Sequence, residues 1–143
     1  MDLFSRTVLP AAAEAGIRSL VLTQHMPVFR RCVNYDDTAV LIAECHRTGS
    51  ATTGVYLMLL TERRMLVTRQ SRISGRIRVH LDVSLDDLSD VVWLSNDRQS
   101  AIEFATTIGD TRHRFNISGH RFRQLWHVSM EFTRLFSQMP IAV

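Results

Sequence analysis

The sequence predicts a mainly β fold with α-helical ends: an antiparallel barrel of about seven short strands, an N-terminal helical segment, and a C-terminal amphipathic helix capping the barrel. Three observations carry that expectation. Arg76–Leu85 alternates strictly, with Ile77, Val79, Leu81, Val83 and Leu85 set to point one way and Arg76, Arg78, His80, Asp82 and Ser84 the other. Between Ala39 and Ile117, short apolar runs recur between clusters of turn-forming residues. From Phe122 to Phe136 the apolar residues return at helical spacing.

The N-terminal elements come first. After Pro10, suited to a first helical turn, Ala11, Ala12, Ala13, Glu14 and Ala15 favour helix, so residues 2 to about 25 read as helical. Gly16 weakens one continuous helix, Ile17–Gln24 also fits a strand, and Pro27 is expected to close the segment. Ala39–His46 is rich in strand formers and ends in the turn-prone Arg47–Gly54. Val55–Thr61 is apolar on both faces, as in a strand covered on both sides. Glu62, Arg63 and Arg64 then interrupt two greasy runs, and Met65–Gln70 resumes. This is the pattern of a hairpin whose charged tip reaches water.

Ser71–Gly75 forms the next loop, followed by the alternating strand and a turn at Asp86–Asp90. Val91–Ser95, Ala101–Thr107 and Thr111–Ile117 complete the strands, the last two joined around Gly109-Asp110. Ser118 is a suitable cap for the final helix. Its apolar side is expected to gather Phe122, Leu125, Trp126, Val128, Phe132, Leu135 and Phe136, with Trp126 toward the barrel and Trp93 nearby. Residues 1–34 are thus expected to be a helical extension, and residues 35–143 the barrel domain.

The 143 residues suffice for one domain with a real core. At 45% hydrophobic and 22% charged, the composition is that of a globular chain. No apolar run approaches the ~20 residues of a spanning helix, and the N-terminus makes a poor signal peptide, so a cytoplasmic setting is expected. Cys32 and Cys45 are not spaced as a redox or metal pair and read as free thiols. All 17 basic residues are arginine, as GC-rich codon usage would produce. Every cation other than the chain terminus is therefore a planar fork suited to carboxylate or phosphate.

Those cations are unevenly placed. Glu62–His80 holds six arginines and one acid, a balance of +5, whereas the remainder has 11 arginines against 13 acids, or −2. Such asymmetry points to an anionic partner. It also fits a solvated face neutralised by acids of this chain or a partner subunit. The candidate residues are Arg63, Arg64, Arg72, Arg76 and Arg78. Nucleic acid is disfavoured, because no aromatic lies between Thr61 and His80 to stack on bases.

Other constellations carry less. His113, His120 and His127 fall on a strand, a loop and the polar side of a helix, an arrangement that does not converge on a metal. Asp86, Asp87 and Asp90 with Ser84 fit turn and cap chemistry. With no dinucleotide fingerprint, phosphate loop, or nucleophile beside a base, neither a catalytic role nor a cofactor is expected.

Three segments together resemble the bacterial pleckstrin-homology-like (PH-like) domains and their GRAM relatives. They are "TGVYLMLLTERRMLVT", "VSLDDLSDVVW" and "AIEFATTIGDTRHRFNI", followed by the final helix. Gly54, Leu57, Leu59, Thr61, Arg64 and Leu66 fit the family's first hairpin pattern with a one-residue slip. Val83, Leu85, Asp87, Leu88 and Val91 fit the segment after it. The likeness covers about residues 38–137 and consists of turns and apolar spacing. It implies a barrel serving as a non-enzymatic interaction module, through protein-protein contacts or homo-oligomeric self-assembly. The alternative it implies is peripheral binding of anionic lipid headgroups. Arg64…Arg76-x-Arg78 is similar in spacing to the basic motif of lipid-binding PH domains, although it falls one hairpin later and has Arg where the family typically leads with Lys.

Overall fold

The computed structural model describes residues 1–47, 54–96, 98, 100–119 and 122–136. Two helices, α1 (Leu3–Glu14) and α2 (Ser19–Cys32), precede the strands. These are β1 (Ala39–Arg47), β2 (Gly54–Thr61), β3 (Arg64–Ser71), β4 (Ile77–Ser84), β5 (Leu88–Asn96), β6 (Ala101–Ile108) and β7 (Thr111–Ser118). A 3-10 turn, Leu85–Asp87, joins β4 to β5, and α3 (Phe122–Phe136) follows β7. The expected mainly β architecture with helical ends is the one observed: all seven strands pair antiparallel in one sheet, in the order β4-β3-β2-β1-β7-β6-β5.

That sheet is rolled. β4 and β7 lie four places apart, roughly 19 Å in a flat sheet at about 4.8 Å per strand. Yet the His80 ring on β4 stands 6.5 Å from His113 and 6.1 Å from Phe115, both on β7. The inner face gathers Tyr56, Met58, Leu60, Met65, Val67, Phe104, Phe115 and Ile117 into one core with Phe132 and Phe136 of α3. Phe132 is fully buried, 5.0 Å from the Phe104 ring. Trp93 joins it at 5.8 Å.

The two-sided apolar character of β2 has a direct cause. Tyr56, Met58 and Leu60 face the inner core, while Leu57 and Leu59 face Phe4, Val8, Val21, Leu22 and Phe29 of α1 and α2. Residues 1–34 therefore share a buried core with β1–β3. Asp2 caps α1 by accepting the Ser5 N–H at 2.7 Å. Gly16, at φ +70°, ends that helix: its N–H donates to the Ala13 carbonyl and that of Ile17 to Ala12, the paired closure that a left-handed residue permits.

Several local expectations are corrected. The N-terminal segment is two helices, and Ile17–Gln24 is not a strand. Pro10 and Pro27 lie inside α1 and α2 rather than at a first turn or an end. Burial of Val8 and Ala12 around Pro10, and of Val28 and Phe29 after Pro27, outweighs the lost hydrogen bonds. Ser118 ends β7, paired with Ala101, and the start of α3 that it was expected to cap follows residues outside those described. Trp126 does not face the barrel but is 57% exposed on the outer side of α3.

The largest correction lies in β4. Val67 pairs with Leu81 and Thr68 with Val79, so β4 holds one extra residue, a bulge at His80. The expected alternation breaks there. Leu81 and Val83 pack on the inner core, whereas Val79 is 42% exposed. His80 turns inward, edge-on to Tyr56 at 5.4 Å.

Candidate anion-binding site

The hairpin of β3 and β4 carries the arginine-rich segment, and its two ends differ. At the β2–β3 turn, Thr61 is the organiser. Its hydroxyl donates to the buried Asp37 carboxylate at 2.6 Å and accepts the N–H of Arg64 at 2.9 Å. The polar break between two apolar runs is thus a turn wired to the loop before β1. Arg63 lies 3.5 Å from Asp36 with both side chains well exposed. Arg64 forks onto Asp82 Oδ1, with Nε at 2.9 Å and Nη2 at 2.7 Å. Glu62 is held by Arg134 of α3 at 3.0 Å, so α3 approaches this end.

The far end of β3 lies roughly 23 Å away, at about 3.3 Å per residue. There Tyr56 pairs with Arg69, and Arg69 with Arg78, in one cross-strand row. Paired residues share a face, and Tyr56 belongs to the inner core, so both arginines point to the inner side at the mouth of the roll. The bulge creates this placement: Asp82 and Arg64, on the other side of it, face outward. Arg69, Arg76 and Arg78 line a pocket of about 210 Å³ with Ser71 and Ser74.

Its wall is a tight loop. Gly75, at φ +70°, lets the chain turn so that its N–H reaches the Ser71 carbonyl. The Ser71 hydroxyl accepts the Ile73 N–H at 3.3 Å and the Ser74 hydroxyl accepts that of Arg76 at 3.3 Å. Each hydroxyl accepts from the backbone and still has its own proton to donate.

Electrostatically the pocket is one-sided. Among the described residues, no carboxylate makes an ion pair with Arg69, Arg72, Arg76 or Arg78. Arg69 Nε is buried without a hydrogen-bond partner. Like charges directly opposite across strands are destabilising, and a buried unpaired donor costs more. Arg47 adds to the mouth: it pairs with Phe115 and, after burial, is the next cause that lowers the pKa of both His80 and His113. For His80, burial is the main cause of the lowered pKa, followed by Arg47, His113 and Arg69.

The five arginines singled out from sequence therefore do not form one surface. Arg63 and Arg64 sit at the acid-paired turn, Arg76 and Arg78 at the pocket, and Arg72 on the exposed loop beside it. Arg69, Ser71 and Ser74 were missed as site members. The hairpin register held the signal for Arg69, since a tight turn between two strands sets it opposite Arg78. Ser84 stays in its expected turn role, accepting the Asp86 N–H at 3.3 Å. Of the three histidines considered for metal, His120 lies outside the described residues. Among the described residues no three His, Cys, Asp or Glu side chains cluster as a metal would require. Cys32 and Cys45 are free thiols.

No family model matches the chain, and neither does any curated protein. Among solved structures it is similar to the C-terminal domain of an unknown protein from Leishmania infantum. That likeness is at 12% identity and a TM-score of 0.44, over 78% of this chain and 92% of that one, and carries no argument about function. No helix among the described residues is long and apolar enough to cross a membrane.

Proposed function

We propose that this protein is a non-enzymatic recognition module of PH-like type, acting in the cytoplasm, that binds a phosphate-bearing anion at the open end of its rolled sheet. One observation carries the reading. Arg69 and Arg78 face each other across two strands, without an ion-pair partner among the described residues, beside Ser71, Ser74 and Arg76, in a pocket the size of a small anion. Three guanidinium forks, which only donate, and two hydroxyls with a proton still to give make a lining suited to an anion. The resemblance to PH-like and GRAM domains supports it, since some members recognise phosphoinositide headgroups.

The phosphate could belong to a lipid headgroup or a free ester, and one experiment separates them. Flotation with phosphatidylglycerol vesicles is compared with phosphatidylcholine vesicles, and inorganic phosphate binding is measured by calorimetry. Recruitment to acidic vesicles that falls with rising salt, and is lost in the Arg76→Ala, Arg78→Ala double variant, assigns a membrane surface. Calorimetric binding without recruitment assigns a soluble ester. Absence of both overturns the reading.

A second reading, protein contact or self-assembly, is favoured by a different feature. Trp126 and Met130 are 57% and 49% exposed on α3. Trp126 lines an open groove against α1 with Pro10, Ala11 and Val40. An exposed tryptophan beside a groove is a common anchor for a partner. Light scattering tests self-assembly: a defined oligomer that dissociates in Trp126→Glu supports it, and a monomer in both removes it.

A further inference from the structure

Resting on the anion site proposed above, we propose that the site takes up protons together with its anion: His80 and His113, set behind the arginines, make occupancy rise as the pH falls. The geometry comes from the bulge. It turns His80 from the polar outer face into the mouth, where its ring stands edge-on to Tyr56, His113 and Phe115. His80 Nε2 is buried and has no hydrogen-bond partner. Among the described residues, an Nε2 so placed has neither an acceptor to hold a proton nor a carboxylate to welcome one.

Among the described residues, the groups that act on it are cations or neutral. From β1 comes Arg47, from β2 the Tyr56 ring, from β3 Arg69, and from β7 His113. Arg78 precedes His80 by two residues on its own strand. The acid of β4, Asp82, faces outward and is bonded to Arg64. Burial and these cations together hold both imidazoles below their ordinary value of 6.5.

An anion in the pocket reverses the balance. It neutralises Arg69 and Arg78 and supplies the negative charge that the site lacks, so the imidazolium forms become easier to reach. Linkage is reciprocal: whatever raises these pKa values is bound more tightly where the imidazoles are charged. The window follows from the sign. The free pKa values lie below 6.5 and the bound values above the free ones, so affinity climbs as the pH drops through that interval. Each imidazole raised by one unit strengthens binding about tenfold at the acid limit.

Sulfate is a clean probe, because its charge does not change in this range. Calorimetry near pH 7.5 and near pH 5.5, in two buffers of different ionisation enthalpy, reads affinity and proton uptake together. The expected result is tighter sulfate binding at the lower pH, with net proton uptake, and a flatter pH profile in His80→Gln and in His113→Gln. Imidazole NMR titrations of the unmodified protein need no variant: the His80 and His113 midpoints should rise with sulfate, while that of His25, on the other face of the sheet, should not. Equal binding at both pH values without proton uptake overturns the gating and leaves the anion site standing. Failure of sulfate and of acidic vesicles to bind at any pH overturns both.

Discussion

The hairpin of β3 and β4 presents arginines at both ends and treats them in opposite ways. At the end touching α3, each has an acid, Asp36 for Arg63 and Asp82 for Arg64, and Glu62 of the same turn holds Arg134 of α3. At the open end, Arg69, Arg76 and Arg78 crowd around serines, and among the described residues none of them has an ion-pair partner. Composition alone cannot separate these two uses of one residue type. The difference teaches how one residue type can be used twice: cations with acids at hand serve the fold, and cations without them, on the function proposed above, hold binding capacity at the fold's expense.

Substitutions should therefore diverge between the ends. The largest effect is expected at the paired turn. Asp37→Ala removes the acceptor for the Thr61 hydroxyl and for the Thr38 N–H at 2.8 Å, in a side chain only 2% exposed. A loss of roughly 3 kcal/mol in chemical denaturation is expected. An unchanged midpoint would mean that the turn is not wired through Asp37.

Acid comes next and touches both faces of the sheet. His25 is fully buried and bonded through Nδ1 to Thr68 at 2.8 Å, and burial lowers its pKa as it does those of His80 and His113. The unfolded chain binds protons at a higher pH than the folded one does. The stabilisation from neutral histidines is thus complete above 6.5 and is lost as the pH falls from there through the lower folded values. Urea midpoints should decline across that window and not above it.

Arg64→Ala breaks a half-exposed bidentate pair and should cost about 1 kcal/mol. Arg78→Glu should do the reverse. Placing an acid opposite Arg69 replaces repulsion with attraction, so unfolding should require about 0.5 kcal/mol more, while anion binding disappears. A destabilised Arg78→Glu would erase the contrast between the ends. Smallest is Arg63→Ala, whose exposed pair with Asp36 is worth only a few tenths of a kcal/mol, near the limit of an equilibrium melt.

The fold was legible where burial is uniform along an element. Val55–Thr61, Met65–Gln70 and Ala101–Thr107 were readable as strands, because apolar runs bounded by Gly, Ser, Asp and Arg have few other solutions. Phe132 and Phe136 followed from helical spacing. Legibility ended where tertiary contacts override local preference. Pro10 and Pro27 are helix breakers by propensity, yet both lie within helices pressed on β1–β3. Trp126 matches the apolar stripe of α3 but falls at its edge and is exposed. The site failed for a sharper reason. Alternation from Ile77 to Leu85 looked perfect as letters, so nothing suggested an inserted residue at His80, and the expected common face of Arg78 and Asp82 was lost with it.

That insertion has a consequence for comparing this chain with its kin. A homologue one residue shorter in β4 would carry nearly the same letters with its cations turned beneath the N-terminal helices. Aligned column by column the two would look interchangeable, and they would differ in what they can touch. Strand length modulo two, rather than arginine content, is the character to score when asking which relatives inherited this pocket.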